Sequence, residues 1–252
     1  MKMILACIVA GNLVAALAQP QPRYTVIDLG TLGGTYSFAF GINNAGDVAG
    51  AAATPSQTDG FASTAFLWTR QNGIVDLGTL GTPAFPACPT CNSGAAAVGA
   101  SGEVAMGSEI AAMDPNGEDF GQWQPFSPTH RVTRGVIWRN GFMTVLPNLP
   151  GGNNNNVFWV NSPGQASGFA ETDVYDPSCS IGTPFQVRRY LPVIWTPNGE
   201  IERVLSPLVS RGDTVAYGFT INDTARPSAL RVRAQRPACR LSPSTSPPRH
   251  TR

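Results

Sequence analysis

The chain has 252 residues, enough for one large domain or two small ones, and only 13% of them are charged. Its 27 glycines and 22 prolines favour many short strands and tight turns over long helices. The net charge of +1 hides an asymmetry: residues 225–252 hold seven arginines and no carboxylate, whereas residues 20–224 hold nine arginines and all sixteen acids. An acidic body repels phosphate backbones, which argues against a nucleic-acid-binding protein.

The first residues have the features of a secretory signal. Lys2 supplies a positive charge, residues 3–16 form an apolar run, and Ala16-Leu17-Ala18 is a small-x-small cleavage site. We therefore expect residues 1–18 to be removed on export; the alternative is a buried N-terminal helix. The run is too short for a membrane span and no later segment approaches 18 apolar residues, so we expect no membrane span.

Self-comparison reveals an internal repeat, which is the strongest pattern in the sequence. One element carries paired leucines and occurs at 27–34 (IDLGTLGG), 75–82 (VDLGTLGT), 145–152 (VLPNLPGG) and, more degraded, 204–208 (VLSPL). A second element of small residues around a turn follows each copy, at 40–50 (FGINNAGDVAG), 98–107, 160–168 and 221–223.

A third element is apolar, ends in tryptophan and precedes an Asn-Gly dipeptide. Asn-Gly between apolar runs is a strong hairpin signal, because both residues tolerate positive φ. The tryptophans, which we expect to fill the core between units, are Trp68, Trp138 and Trp195. The alternative for them is a platform for a ligand.

In chain order, one unit is predicted to run strand, turn, strand, long loop, strand, turn, strand. In the first unit the strands fall near 37–43, 47–53, 64–69 and 74–78. Four short antiparallel strands per unit are typical of a propeller blade, so the sequence predicts an all-β, propeller-like repeat of about three units and a partial fourth.

The paired pattern, DLGTLGG followed by IN-x-x-G-x-V-x-G and then AFLW, resembles the HAF repeat family of extracellular bacterial proteins over roughly residues 24–222. The His-Ala-Phe of the family name is Thr64-Ala65-Phe66 here. The resemblance implies secretion and a repeated β fold, and it implies no activity.

The repeat stops after Thr224, where the composition changes to Arg, Pro and Ser. The predicted organisation is a signal at 1–18, a repeat domain at 19–224 and a basic tail at 225–252, which is either disordered or a frameshift product. Residues 24–29 resemble the last strand of a unit. An arc of three blades leaves its end blades uncapped, so either the chain is a fragment of a longer ancestor or it associates with another copy.

Four cysteines follow the signal. Cys88 and Cys91 form a lone C-x-x-C, for which we predict a structural disulfide. Free thiols, a different pairing that involves Cys179, a metal site and a redox motif are the alternatives. A zinc site would need a second ligand pair, which the sequence lacks, and we predict no metal and no cofactor.

Residues 114–119 (DPNGED) resemble part of a calcium-binding loop, with alternating oxygen ligands around a turn glycine. The loop lacks the distal bidentate glutamate, so a solvated Asx turn is the preferred interpretation and a calcium site is the alternative.

Two long inserts, 108–133 and 169–190, interleave acidic and aromatic side chains. Inserts of repeat proteins gather on one face, which is often the binding face. Rings that stack on sugars and carboxylates that accept their hydroxyls suit a carbohydrate. The predicted ligand face is Glu118, Asp119, Trp123, Glu171, Asp173 and Tyr175. The alternative is an ordinary solvated loop.

Catalysis has little support in the sequence. His130 is the only histidine before the tail, and it lies beside no recognisable triad partner. A carboxylate pair for glycoside hydrolysis would have to come from the inserts, and no spacing selects one. We predict no catalytic residue and a non-enzymatic extracellular binding or adhesion module for carbohydrate or protein. The alternatives are a secreted carbohydrate-active hydrolase and a truncated, non-functional remnant.

Overall fold

The structure is a computed structural model that describes residues 24–57, 62–80, 84, 86–119, 129–176, 187–206, 215–224 and, for the backbone alone, 231–235. The predicted signal at 1–18 and most of the basic tail lie outside these residues. The described part of the chain forms fourteen strands, and it has no helix long and apolar enough to cross a membrane.

Consecutive strands pair in sequence order to form three four-stranded antiparallel sheets. Sheet 1 contains β1 (Ser37–Ile42), β2 (Val48–Ala52), β3 (Thr64–Thr69) and β4 (Gly73–Gly78). Sheet 2 contains β5 (Ser93–Val98), β6 (Val104–Met113), β7 (Arg131–Arg139) and β8 (Phe142–Val145). Sheet 3 contains β9 (Asn155–Val160), β10 (Ala166–Tyr175), β11 (Arg188–Trp195) and β12 (Ile201–Val204), and a fourth unit pairs β13 (Val215–Thr220) with β14 (Arg231–Gln235).

The all-β prediction is confirmed, and the four strands of sheet 1 lie within one residue of their expected bounds. The Asn-Gly hairpins account for part of this agreement. Asn140 and Gly141, which join β7 to β8, both have positive φ, at 49° and 86°. A two-residue turn of this kind matches the twist of the flanking strands, so it fixes their register. β14 falls in the predicted tail, where the structure pairs it with β13.

The leucine pairs of the repeat explain how one sheet packs on the next. Leu77 and Leu80 lie in the apolar layer between sheets 1 and 2, where Trp138 packs against the same cluster. Leu146 and Leu149 lie in the layer between sheets 2 and 3 with Trp195, whose indole nitrogen donates to the Pro147 carbonyl at 3.2 Å. Each tryptophan therefore faces the leucine pair that precedes its own sheet.

The first leucine pair also packs against the tryptophan of the sheet that follows it, although no described sheet precedes this pair. Leu29 and Leu32 pack against Phe66 and Trp68 on the outer face of sheet 1. Residues 24–30 themselves form no strand, although their sequence resembles β4, because no described strand edge lies beside them to supply hydrogen-bond partners.

An asparagine at the turn after the first strand links neighbouring sheets. Asn43 closes the turn between β1 and β2 and donates from Nδ2 to the Gly99 carbonyl of sheet 2 at 3.0 Å. Asn161 makes the equivalent bond from sheet 3 to the Asn222 carbonyl at 2.9 Å. Gly99 occupies the equivalent position in the turn of sheet 2, and because it has no side chain it cannot make this hydrogen bond to the next sheet. The links show that successive sheets meet in the same orientation.

Candidate functional site

The first strands of the four units, β1, β5, β9 and β13, lie next to one another in that order, and we call them the inner strands. Each of them carries one β-bulge, where the pairing register skips a residue three positions before the turn. A bulge leaves the skipped residue unpaired and re-aims its side chain. The four skipped residues are Phe40, Ala96, Phe158 and Phe219.

A cavity of about 290 Å³ lies against the inner strands, and all four skipped residues line it. Phe40 and Trp159 contribute aromatic surface and are 52% and 37% exposed. We call this space the inner-strand cavity. Its volume is at the small end of the range for ligand pockets, so it suits a ligand of one or two rings.

Small residues give the cavity its space: Gly94, Ala95, Ala96 and Gly107 line it, and Ala96 stands where the other units have phenylalanine. Three of the skipped positions hold phenylalanine, and the rings of Phe158 and Phe219 are in tilted contact with their centroids 5.3 Å apart. Ala96 ends at Cβ, so the volume that a fourth ring would take between the strands stays open. The skipped positions of the inner strands therefore form a row of aromatic side chains, which Ala96 interrupts in sheet 2.

Besides the indole of Trp159, four residues with polar side chains line the cavity, namely Glu109, Thr133, Asn156 and Thr220. Asn156 accepts the Val157 N–H through Oδ1, and among the described residues its Nδ2 group donates to no acceptor. Thr133 carries a buried hydroxyl that has no hydrogen-bond partner in the described chain. Burial raises the pKa of Glu109, and both carboxylate oxygens of Glu109 accept hydrogen bonds from the protein. The free hydrogen-bonding capacity of the wall therefore belongs to Asn156, Thr133 and Thr220, whose hydroxyl makes no hydrogen bond within the described residues.

Glu109 belongs to a hydrogen-bonded connection that ties one sheet to the next. Its carboxylate accepts the Asn92 N–H at 2.7 Å, and Asn92 Oδ1 in turn accepts the Ser63 N–H of sheet 1 at 3.1 Å. We call this arrangement an inter-sheet clamp. The same contacts recur between sheets 3 and 2, with Glu171, Asn154 and Thr133 in the corresponding places.

The second clamp adjoins a cluster of three buried carboxylates. Asp114, Glu118 and Glu171 lie with one oxygen of each within 4.8 Å of the others. Asp114 and Glu118 come from the first insert and Glu171 from β10, at the start of the second. The two inserts therefore meet, as the predicted ligand face requires, but they meet through side chains that are closed off from solvent.

Hydrogen-bond donors of the chain satisfy this cluster. Asp114 accepts the N–H groups of Asn116 and Glu118 and the Asn154 amide at 2.8 Å. Glu118 Oε1 accepts the backbone N–H groups of Val187 and Arg188. Because donors from both inserts converge on these oxygens, the cluster joins the inserts and fixes their ends.

Electrostatics keeps one proton in the cluster. Burial, together with the charges of Glu118 and Asp114 and a hydrogen bond to Glu118, raises the pKa of Glu171 to about 9. The Arg134 guanidinium is partly buried nearby, and burial lowers its pKa while the carboxylates raise it. A shared proton and a neighbouring cation both reduce the repulsion between the three acids.

The three carboxylates are also the group of described residues that could hold a cation. Glu171 supplies a distal carboxylate of the kind that the 114–119 loop lacks. The oxygens already accept N–H bonds, however, whereas a calcium site presents free oxygens to the ion. The geometry is that of a structural joint.

The other residues of the predicted ligand face, and His130, differ in their burial and contacts. Asp119 is half-buried, while Asp173 and Tyr175 are exposed, and the Tyr175 hydroxyl donates to Asn116 Oδ1 at 3.1 Å. His130 Nδ1 lies 2.8 Å from the Gly117 carbonyl oxygen. Trp123 lies outside the described residues.

The structure joins Cys88 and Cys91 in a disulfide; Cys179 is outside the described part of the chain. Trp195 is fully buried, whereas Trp68 and Trp138 are half-buried against their clusters.

The inner-strand cavity was not among the features predicted from the sequence. The signal was present, because aligning the units on the turns that follow the inner strands places Phe40, Phe158 and Phe219 in one column with Ala96. The exchange of a ring for a methyl group at one copy of a repeat was the feature to notice.

No protein-family model, curated protein or solved structure matches the chain. The HAF resemblance therefore stays a prediction that rests on the motifs.

Proposed function

We propose that this chain is a secreted, non-enzymatic binding module whose sheets are successive blades of a propeller-like repeat, and whose ligand occupies the inner-strand cavity. The pattern of residues 1–18 supports export. The proposed site lies on the first strands of the sheets, whereas the sequence predicted a ligand face on the inserts.

The packing supports the propeller-like arrangement. Each inner strand contacts the next one, and the leucine–tryptophan layer recurs between sheets 1 and 2 and between sheets 2 and 3. The turn asparagines Asn43 and Asn161 reach forward to the following sheet in the same way. Sheets that repeat one set of contacts with their neighbours build a regular arc around their first strands.

The inner-strand cavity is the observation that carries the function. It combines an apolar, aromatic lining with a few polar groups, which is the composition of small-ligand sites. Its polar donors on Asn156 and Thr133 are unused within the described chain. Buried polar groups are normally hydrogen-bonded, so a bound ligand would supply the missing partners.

The burial of the insert carboxylates argues against the hydrolase alternative. Glu118 and Glu171 are fully buried and accept backbone N–H bonds. A glycosidase needs one carboxyl group on each side of a bound sugar ring, and these two groups share a hydrogen bond with each other.

Ligand-detected NMR on the purified chain tests the proposal. Wild type and Ala96→Phe are exposed to a mixture of neutral sugars and small aromatic compounds, and the mixture is then analysed for products. We expect at least one compound to bind wild type, to lose binding in Ala96→Phe and to be recovered unchanged. Compounds that bind both proteins equally would place the site elsewhere, and product formation would contradict a non-enzymatic role.

A further inference from the structure

We infer that the ligand of the inner-strand cavity is a small, uncharged aromatic molecule that bears one oxygen; this inference rests on the proposed function. The cavity belongs to the chain's own repeat, and its chemistry narrows the ligand class beyond the sugar or protein that the sequence suggested.

The shape of the gap indicates a ring. Three inner strands place phenylalanine at the skipped position and the fourth places Ala96 there, so the missing group is the size of one aromatic side chain. A ligand ring that lies against Ala96 has as its neighbours Phe40 and Phe158, the skipped residues of the two adjacent inner strands, and both line the same cavity. Aromatic pairs of this kind add to the free energy of burial.

The polar groups of the wall are too few for a sugar. A pyranose carries several hydroxyl groups that each need partners once they leave water. The wall offers Asn156 Nδ2 and the hydroxyls of Thr133 and Thr220, since the Glu109 oxygens are occupied by Thr129 and Asn92. These few donors suit a ligand with a single oxygen acceptor better than one with a hydroxyl group on almost every carbon.

The cavity disfavours ionised ligands because its lining offers little to compensate a ligand charge. Among the residues that the structure describes, no arginine or lysine lines the cavity to pair with an anion. Burial raises the pKa of Glu109, and both of its carboxylate oxygens already accept hydrogen bonds from Thr129 and Asn92, so this group offers a cationic ligand few free contacts. Desolvation of a charged ligand would therefore go uncompensated.

Two ligands that differ by one hydroxyl group test the inference by isothermal titration calorimetry. The probes are p-cresol and toluene, with glucose as the sugar arm. We expect wild type to bind p-cresol about fivefold more tightly than toluene, since one net hydrogen bond is worth that factor. Thr133→Val, which has the same shape, should bring the ratio close to one and leave toluene affinity unchanged.

Filling the gap provides the second half of the test. Ala96→Phe should abolish binding of both aromatic probes, and Ala112→Phe, the same change at an exposed position of β6, should leave it intact. If Ala96→Phe removes glucose binding while p-cresol fails to bind wild type, the aromatic class is wrong and the proposed function stands. If p-cresol binds Ala96→Phe as well as wild type, or shows no preference over toluene, the inference is overturned.

Discussion

Phe40 and Ala96 occupy equivalent places in neighbouring inner strands, where each is the residue that the pairing register skips. On β1, the aromatic ring of Phe40 fills the space in front of the strand. On β5, Ala96 leaves the corresponding space open. Because bulges direct these side chains, the contrast between the two residues creates the inner-strand cavity.

Ala96→Phe should stabilise the chain while it removes the cavity. The other inner strands accept phenylalanine at this bulge, so the backbone needs no rearrangement. Cavity filling of this kind typically adds about 0.5–2 kcal/mol to the free energy of unfolding. Urea denaturation measures the change, and a loss of more than about 1 kcal/mol would mean that the space is too small for a ring.

Asn154→Ala should destabilise the fold more than Asn92→Ala, although both asparagines belong to inter-sheet clamps. Both changes orphan a backbone N–H of the neighbouring sheet, on Thr133 or on Ser63. Asn154→Ala also removes the donor to Asp114. We expect a cost of roughly 3 kcal/mol for Asn154→Ala and about half of that for Asn92→Ala, measured by urea denaturation. Equal costs would show that the carboxylate contact contributes nothing.

Glu171 should make stability depend on pH. Because its pKa is raised to about 9 in the folded chain, the folded state keeps a proton that the unfolded state releases above the ordinary value of 4.5. Its contribution is therefore complete at low pH and declines as the pH rises toward about 9. Glu171→Gln imitates the protonated acid and should flatten this decline, so that at about pH 8 the variant is at least about 1 kcal/mol more stable than wild type.

Thermal melts between about pH 5 and about pH 9 measure the effect of Glu171→Gln, with the exposed Glu200→Gln as the control. The control should follow wild type. A melting temperature that rises when calcium is added to wild type, and that Glu171→Gln lowers at every pH, would contradict the account. That result would mean that a cation, not a proton, holds the three carboxylates together.

The tryptophans should differ in their contribution to stability. Trp195 is fully buried and donates a hydrogen bond to Pro147, whereas Trp68 and Trp138 are half-buried. We expect Trp195→Ala to cost about 3–5 kcal/mol and the other two alanine variants roughly half of that. Chemical denaturation of the three variants provides the ranking, and a near-neutral Trp195→Ala would remove the basis for the leucine–tryptophan layer.

The strands and turns could be predicted because they are determined by residues that are close together in the sequence. Asn-Gly pairs set hairpin register, and alternation of apolar residues sets the buried face, so β3 and β4 were found within a residue. The leucine pairs were recognised as a repeat, although their contact with the tryptophans depends on how one sheet packs on the next.

The cluster and the cavity depend on tertiary contacts. Glu118 and Glu171 are far apart in sequence, and their burial follows from donors at Val187 and Asn153 that no spacing rule connects to them. They were placed on a ligand face because acidic residues in inserts are usually solvated. The role of Ala96 depends on the β-bulges, which no local sequence pattern specifies.

The crystal structure of the chain soaked with 4-bromophenol tests the central claim most directly. Bromine gives an anomalous signal that locates the ring without reference to any expected site. The account predicts one peak in the inner-strand cavity, beside Ala96 and between Phe40 and Phe158. A peak confined to the insert residues Asp173 and Tyr175, or a cavity without a peak at a concentration that saturates binding in solution, would contradict it.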